Sequence, residues 1–261
     1  MLGTVTAVTA ADDVTFKGTT KTDGGDFVLL KGKLTKPQAD GPFPAVVLLH
    51  GCSGIQKSQD DWASRLATWG YVSLQVDSFN PRGTSDICGN SRRVPFEIRT
   101  QDAIDAKSFL CTLPFVNSNK IAIIGWSHGG VTTLTSVSFS NYFFWAGRDK
   151  TNHFPKQEAP FRAAIAFYPY CMAQLEDSNA PLLILIGELD TWSPVSQCQA
   201  YMPSGKSTHE VILKIYPGAH HGFDWEGVDL VKLHQHRILS NPEALADSII
   251  QVKEFLAKYL K

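Results

Sequence analysis

The residues of this chain best placed to do chemistry are Ser127, Asp190 and His221. Ser127 lies in Gly125-Trp126-Ser127-His128-Gly129, after the apolar run 121–124 and before Val131-Thr132-Thr133-Leu134. Buried strand, Gly-x-Ser-x-Gly, then helix is the order of a nucleophile elbow, a strained turn that exposes a serine hydroxyl. The helix that follows turns its free N–H groups toward the serine, where an oxyanion would form. Alone, the five-residue motif is also an ordinary glycine-rich turn, so the acid and base that follow decide its meaning. Asp190 comes just after the apolar run 182–187 and is preferred to Glu188, which is nearer the strand end and is expected to face away. His221 stands in Gly218-Ala219-His220-His221-Gly222-Phe223, again just after an apolar run, and is preferred to its neighbour His220. As general base His221 would take the serine proton, an effect of ~10²–10⁴-fold. Asp190 would fix the imidazole tautomer and stabilise the imidazolium. The expected oxyanion donors are the backbone N–H groups of Cys52 and His128; the His128 side chain is not expected to be the base.

These residues need a frame. Apolar stretches at 14–19, 27–34, 45–49, 71–76, 121–124, 162–168, 181–187 and 210–216 predict strands, the first two joined by the turn signal Thr22-Asp23-Gly24-Gly25. Helices are predicted around Trp62, Leu66 and Trp69, over 95–113, after the elbow, and over 241–260. Ser240, Asn241, Pro242 and Glu243 form the start signal of the last one. Strands alternating with helices imply an α/β fold with a mostly parallel sheet and its ligand site at the carboxyl ends of the strands. A single domain over 14–261 is the economical reading, with 1–13 as a flexible tail or export-signal remnant. Two long segments remain: 78–94, rich in Gly, Pro, Asn, Ser and Arg, and the aromatic-rich 138–160, either a lid or pocket wall or an insertion packed on the core.

With 261 residues, 43% of them hydrophobic, the chain can bury a sizeable core. A net charge of −1 without basic runs argues against nucleic acid as a partner, and no apolar run is long enough for membrane insertion. The five cysteines lack metal-ligand spacing, which argues against a zinc ribbon, and hydrolysis through Ser127 calls for no metal and no cofactor. Cys111 falls in an apolar helical pattern and is expected to pack there. Cys171 with Cys198 and Cys52 with Cys88 are candidate disulfides, which would indicate an oxidising, periplasmic or secreted location rather than the cytoplasm.

Several stretches together resemble the dienelactone hydrolase family of the α/β-hydrolase superfamily. They are Leu49-His50-Gly51-Cys52-Ser53-Gly54, Gly70-Tyr71-Val72, Val76-Asp77-Ser78-Phe79, Arg99 with Asp102, the elbow, Leu185-Ile186-Gly187-Glu188-Leu189-Asp190, and 216–223. The resemblance implies the α/β-hydrolase fold, a Ser-Asp-His triad and a small ester or lactone substrate. This chain departs from the enzymes that name the family, which carry a cysteine at the elbow and a glutamate after the first buried strand. Here those places hold Ser127 and His50-Gly51-Cys52, which favours a serine carboxylesterase-like hydrolase. Arg82 corresponds to the family's substrate-carboxylate arginine or else braces its loop, and Trp126 and Trp192 are further candidate substrate contacts. The competing readings are a prolyl-oligopeptidase-like peptidase and a non-catalytic binding protein on a hydrolase scaffold.

Overall fold

The fold is known from a computed structural model that describes residues 11–22, 24–146, 161–205, 207–233 and 235–261. The apolar runs of the sequence become the strands β1 (Asp12–Lys21), β2 (Phe27–Thr35), β3 (Phe43–Leu49), β4 (Val72–Asp77), β5 (Val116–Trp126), β6 (Ala164–Phe167), β7 (Leu182–Gly187) and β8 (Val211–Tyr216). They form one sheet in the order β1-β2-β4-β3-β5-β6-β7-β8. β1, β2 and β4 pair antiparallel, and every pairing from β4 through β3 to β8 is parallel. The central strands are covered on both faces, which is why they read as continuous hydrophobic runs rather than alternating ones. All six residues of β7 are buried, and burying each large side chain of such a strand contributes about 1.5–3 kcal/mol.

Helices α1 (Lys57–Thr68), α2 (Phe96–Cys111), α3 (His128–Val137), α4 (Phe139–Ala146), α5 (Val195–Tyr201) and α6 (Pro242–Leu260) complete the α/β-hydrolase fold. α6 starts at its predicted signal: the Asn241 side chain accepts from the Ala244 N–H at 3.0 Å, and Pro242 occupies the first helical position. α2 packs on α3 and β1, and α6 on β5. Because β3, β5, β7 and β8 run in the same direction, the loops leaving their carboxyl ends emerge along one edge of the sheet. Those loops carry His50 to Cys52, Ser127, Asp190 and His221.

Several expectations need correction. β1 begins at Asp12, so Asp12 and Asp13 belong not to a tail but to the sheet, opposite Leu34 and Lys33. The proposed leader remnant over 1–10 lies outside the described residues. Segment 138–160 opens with helix α4; residues 147–160, and with them the choice between a lid or pocket wall and a packed insertion, lie outside the described residues. Cys111 is exposed rather than packed, because α2 turns Ala103, Ala106 and Leu110 inward. α5 and a two-stranded ribbon, β9 (Asp229–Leu233) with β10 (His236–Leu239), were not legible in the sequence.

Candidate active site

Ser127 connects β5 to α3 at φ 53° and ψ −114°, a left-handed conformation that costs a non-glycine residue energy and must be imposed by its surroundings. The flanking glycines allow it. A Cβ on Gly125 would collide with the Gly129 carbonyl, and one on Gly129 with the Leu49 carbonyl at the end of β3. The Ser127 N–H is tied to the Phe167 carbonyl of β6 at 2.9 Å.

His221 Nε2 lies 3.0 Å from Ser127 Oγ, and His221 Nδ1 lies 2.7 Å from Asp190 Oδ2. An ionised carboxylate only accepts, so Asp190 requires the proton on Nδ1 and leaves the Nε2 lone pair facing the serine hydroxyl. Asp190 Oδ1 accepts from the backbone N–H groups of Trp192 and Ser193, both at 2.8 Å, which fixes the carboxylate in its turn. Glu188 is exposed and accepts from the Gly218 N–H at 3.0 Å, away from His221. β10 and the start of α6 hold the histidine loop from outside: Leu239 N–H donates to the His221 carbonyl and Asn241 N–H to that of Phe223.

Beside Ser127 opens a cavity of about 290 Å³ whose lining includes Cys52, Ile87, Phe96, Val131, Tyr170 and Trp192. Cys52 and His128, the two expected oxyanion donors, both border it with Ser127. His128 is the first residue of α3, so its N–H lacks an acceptor within the helix. Both disulfides form, Cys52–Cys88 and Cys171–Cys198, with S–S distances of 1.99 and 2.03 Å. The first ties segment 78–94 to the loop after β3, and Phe79, Ile87 and Val94 of that segment form a small buried cluster of their own.

Two expected substrate contacts are not at the cavity. The Arg82 guanidinium pairs with both oxygens of buried Asp102 at 2.8 Å and also donates to the Ser78 carbonyl and Thr20 Oγ1. Burial pushes the Asp102 carboxyl up and the Arg82 partnership opposes this, so Arg82 braces its loop instead of binding a ligand. Trp126 is 1% exposed; as the last residue of β5 it stacks on Phe167 at 5.3 Å and donates its indole N–H to Asp224 at 2.8 Å. Trp192 does line the cavity, with its ring 5.2 Å from that of His221.

Asp224 carries no sequence signal beyond lying three residues after His221. It is 3% exposed and accepts from Trp62 Nε1, Trp126 Nε1 and Tyr168 OH at 2.9, 2.8 and 2.6 Å. Burial pushes its carboxyl up, and the three donors counter this by favouring the charged form. The carboxylate thereby joins α1, the elbow strand, the end of β6 and the histidine loop behind the site.

The sequence model of the Dienelactone hydrolase family matches residues 30–143 and 147–260. A Synechocystis sp. protein named as a carboxymethylenebutenolidase is 24% identical over 252 residues, covering 89% of this chain and 93% of that protein. A Bradyrhizobium sp. protein named as a 2-oxo-3-(5-oxofuran-2-ylidene)propanoate lactonase is 25% identical over 207 residues, covering 73% of this chain and 77% of that one. Among solved structures, the dienelactone hydrolase from Anabaena variabilis superposes with a TM-score of 0.63 at 17% identity, covering 97% of this chain and 100% of that chain. Thermogutta terrifontis esterase 2, phosphorylated by paraoxon, gives a TM-score of 0.65 at 18% identity, covering 95% and 94%. At these identities the two superpositions speak for the fold. With the family model matched along most of its length, this chain belongs to the dienelactone hydrolase family and is a hydrolase acting on ester or lactone bonds.

Proposed function

We propose that the chain hydrolyses a small carboxylic ester or lactone through an acyl-enzyme on Ser127, with His221 as base and Asp190 as its orienting acid. The observation that carries this reading is the continuous hydrogen-bond chain from Ser127 Oγ through both ring nitrogens of His221 to Asp190. Ser127 Oγ attacks the carbonyl carbon as its proton passes to His221 Nε2, and the oxygen that gains the electron pair accepts from the N–H groups of Cys52 and His128. The carbonyl re-forms as the bond to the leaving oxygen breaks, and that oxygen takes the proton from His221. Water then repeats the sequence: its oxygen bonds to the acyl carbon, its proton goes to His221, and Ser127 departs with a proton returned from His221. In a lactone the leaving hydroxyl stays attached, so the product is a hydroxy acid. Two disulfides in the structure support a periplasmic or secreted site of action. Wild type is expected to turn over p-nitrophenyl acetate and butyrate, and Ser127→Ala to lose about 10³-fold or more in kcat. Undiminished turnover in Ser127→Ala would move the nucleophile elsewhere.

A further inference from the structure

Resting on that reading, the question is what holds the two oxyanion donors in place. Behind them lies Arg99 of α2, which is 0% exposed. Its Nη2 donates to the His50 carbonyl and its Nη1 to His128 Nδ1, both at 2.8 Å, while its guanidinium lies 4.9 Å over the Phe79 ring. Among the described residues no carboxylate forms an ion pair with it, since Asp102 is taken by Arg82, and its Nε–H has no partner. A buried charge of this kind costs stability unless its surroundings compensate it; here burial pushes the guanidinium down and the nearby Asp102 carboxylate opposes this without a contact.

The geometry shows where it acts. His50 Nδ1 lies 2.7 Å from the Gly51 carbonyl, and His50 Nε2 accepts from the Ser78 N–H at 3.4 Å, so the ring is the Nδ1–H tautomer. The Gly51 carbonyl and the Cys52 N–H belong to one planar trans peptide and point in opposite directions. Holding the carbonyl toward His50 therefore turns the Cys52 N–H the other way, on the residue that borders the cavity beside Ser127. On the other side, the His128 ring is clamped between Arg99 and the face of Phe96, with ring centroids 4.0 Å apart. The residue so clamped carries the second donor.

We propose that Arg99 and His50 are positioning residues that set the oxyanion hole: His50 orients the Cys52 N–H, and Arg99 fixes His50 and His128 together and places a positive charge behind both donors. Burial, reinforced by the Arg99 charge, holds both imidazoles well below their usual pKa and so keeps them neutral, as this arrangement of donors and acceptors requires.

The test uses full-length Arg99→Met, His50→Leu and His50→Asn, whose amide N–H replaces Nδ1–H. Each is assayed with p-nitrophenyl acetate and for inhibition by an aliphatic trifluoromethyl ketone, which captures Ser127 as an oxyanion adduct. Arg99→Met and His50→Leu are expected to lose about 10²–10³-fold in kcat. KM should stay within about threefold, and ketone inhibition should weaken in parallel with kcat. His50→Asn should recover at least about tenfold of the kcat lost in His50→Leu, an outcome that general loosening of the loop would not give. Near-wild-type kcat in the two disruptive variants, a kcat loss without weaker ketone inhibition, or no rescue by asparagine would overturn the proposal. If Arg99→Met does not fold, the His50 pair decides. Wild type that neither turns over ester nor is labelled on Ser127 by a fluorophosphonate would remove the serine-hydrolase reading and this inference with it. Losses confined to the variants bear on the inference alone.

Discussion

Both carboxylate oxygens of Asp190 are occupied in a way that suits the proposed role of orienting the base. Its Oδ2 faces the proton on His221 Nδ1, and its Oδ1 is held by two backbone N–H groups of its own turn. Its charge is what keeps the imidazole in the tautomer that can accept from Ser127. Asp190→Asn preserves shape but offers an amide N–H to Nδ1, which selects the other tautomer. We predict a fall of about 10⁴-fold in kcat with folding intact, read from p-nitrophenyl butyrate kinetics and circular dichroism. A loss under tenfold would mean the carboxylate charge is not what orients the base. That Ser127, Asp190 and His221 would come together was legible in the sequence because each follows an apolar strand. Asp224 was not. One aspartate letter says nothing of three donors arriving from residues 62, 126 and 168. Trp126 shows that adjacency to Ser127 in sequence is not adjacency to the cavity in space, because strand geometry turns its indole into the core.

Among the elements, segment 78–94 shows how a long loop becomes a wall. It has a short 3-10 turn, Asn80–Arg82, a small apolar cluster and two anchors, the Arg82–Asp102 pair and the Cys52–Cys88 bridge. The bridge has a sequence separation of 36, and closing a loop of that size restricts the unfolded chain by about 4 kcal/mol in the entropic account. Since Cys52 also supplies a proposed oxyanion N–H, Cys88→Ser is expected to lower both Tm and kcat. Dithiothreitol should reproduce the fall in kcat in wild type, while any further fall in Tm that it causes in the variant reports the second bridge, Cys171–Cys198. Unchanged kcat in Cys88→Ser would show that the wall does not depend on this bridge. The strands of the central sheet were readable because burial on both faces leaves an uninterrupted apolar run. α5, β9 and β10 were not: they are seven, five and four residues long, and the two ribbon strands pair with each other outside the main sheet, without its doubly buried apolar pattern.

Across the whole molecule, parallel strands bring four loops to one edge, and the buried histidines beneath that edge tie stability to pH. His50 and His128 are neutral in the folded protein because burial, then Arg99, depresses their pKa below the ordinary 6.5. The unfolded chain protonates both near that value, so below about pH 6.5 it binds more protons than the folded state and stability falls as pH falls. The slope from two such groups approaches about 2.7 kcal/mol per pH unit. Buried Asp102 and Asp224 act in the opposite sense at lower pH, because their raised pKa values let the folded state take up protons first. We predict that Tm declines from pH 6.5 to 5 and that His50→Asn, which removes one titrating ring, roughly halves the decline. An equal slope in both proteins would mean His50 is protonated in the native state.

The central claim is that Ser127 carries the acyl group. Its most direct test is mass-spectrometric mapping of the adduct formed when wild type and Ser127→Ala are exposed to a serine-directed fluorophosphonate. One adduct on the peptide containing Ser127, absent from Ser127→Ala and appearing as esterase activity disappears, is the predicted result. An active enzyme that loses its activity to the reagent with the label on another residue would place the nucleophile elsewhere.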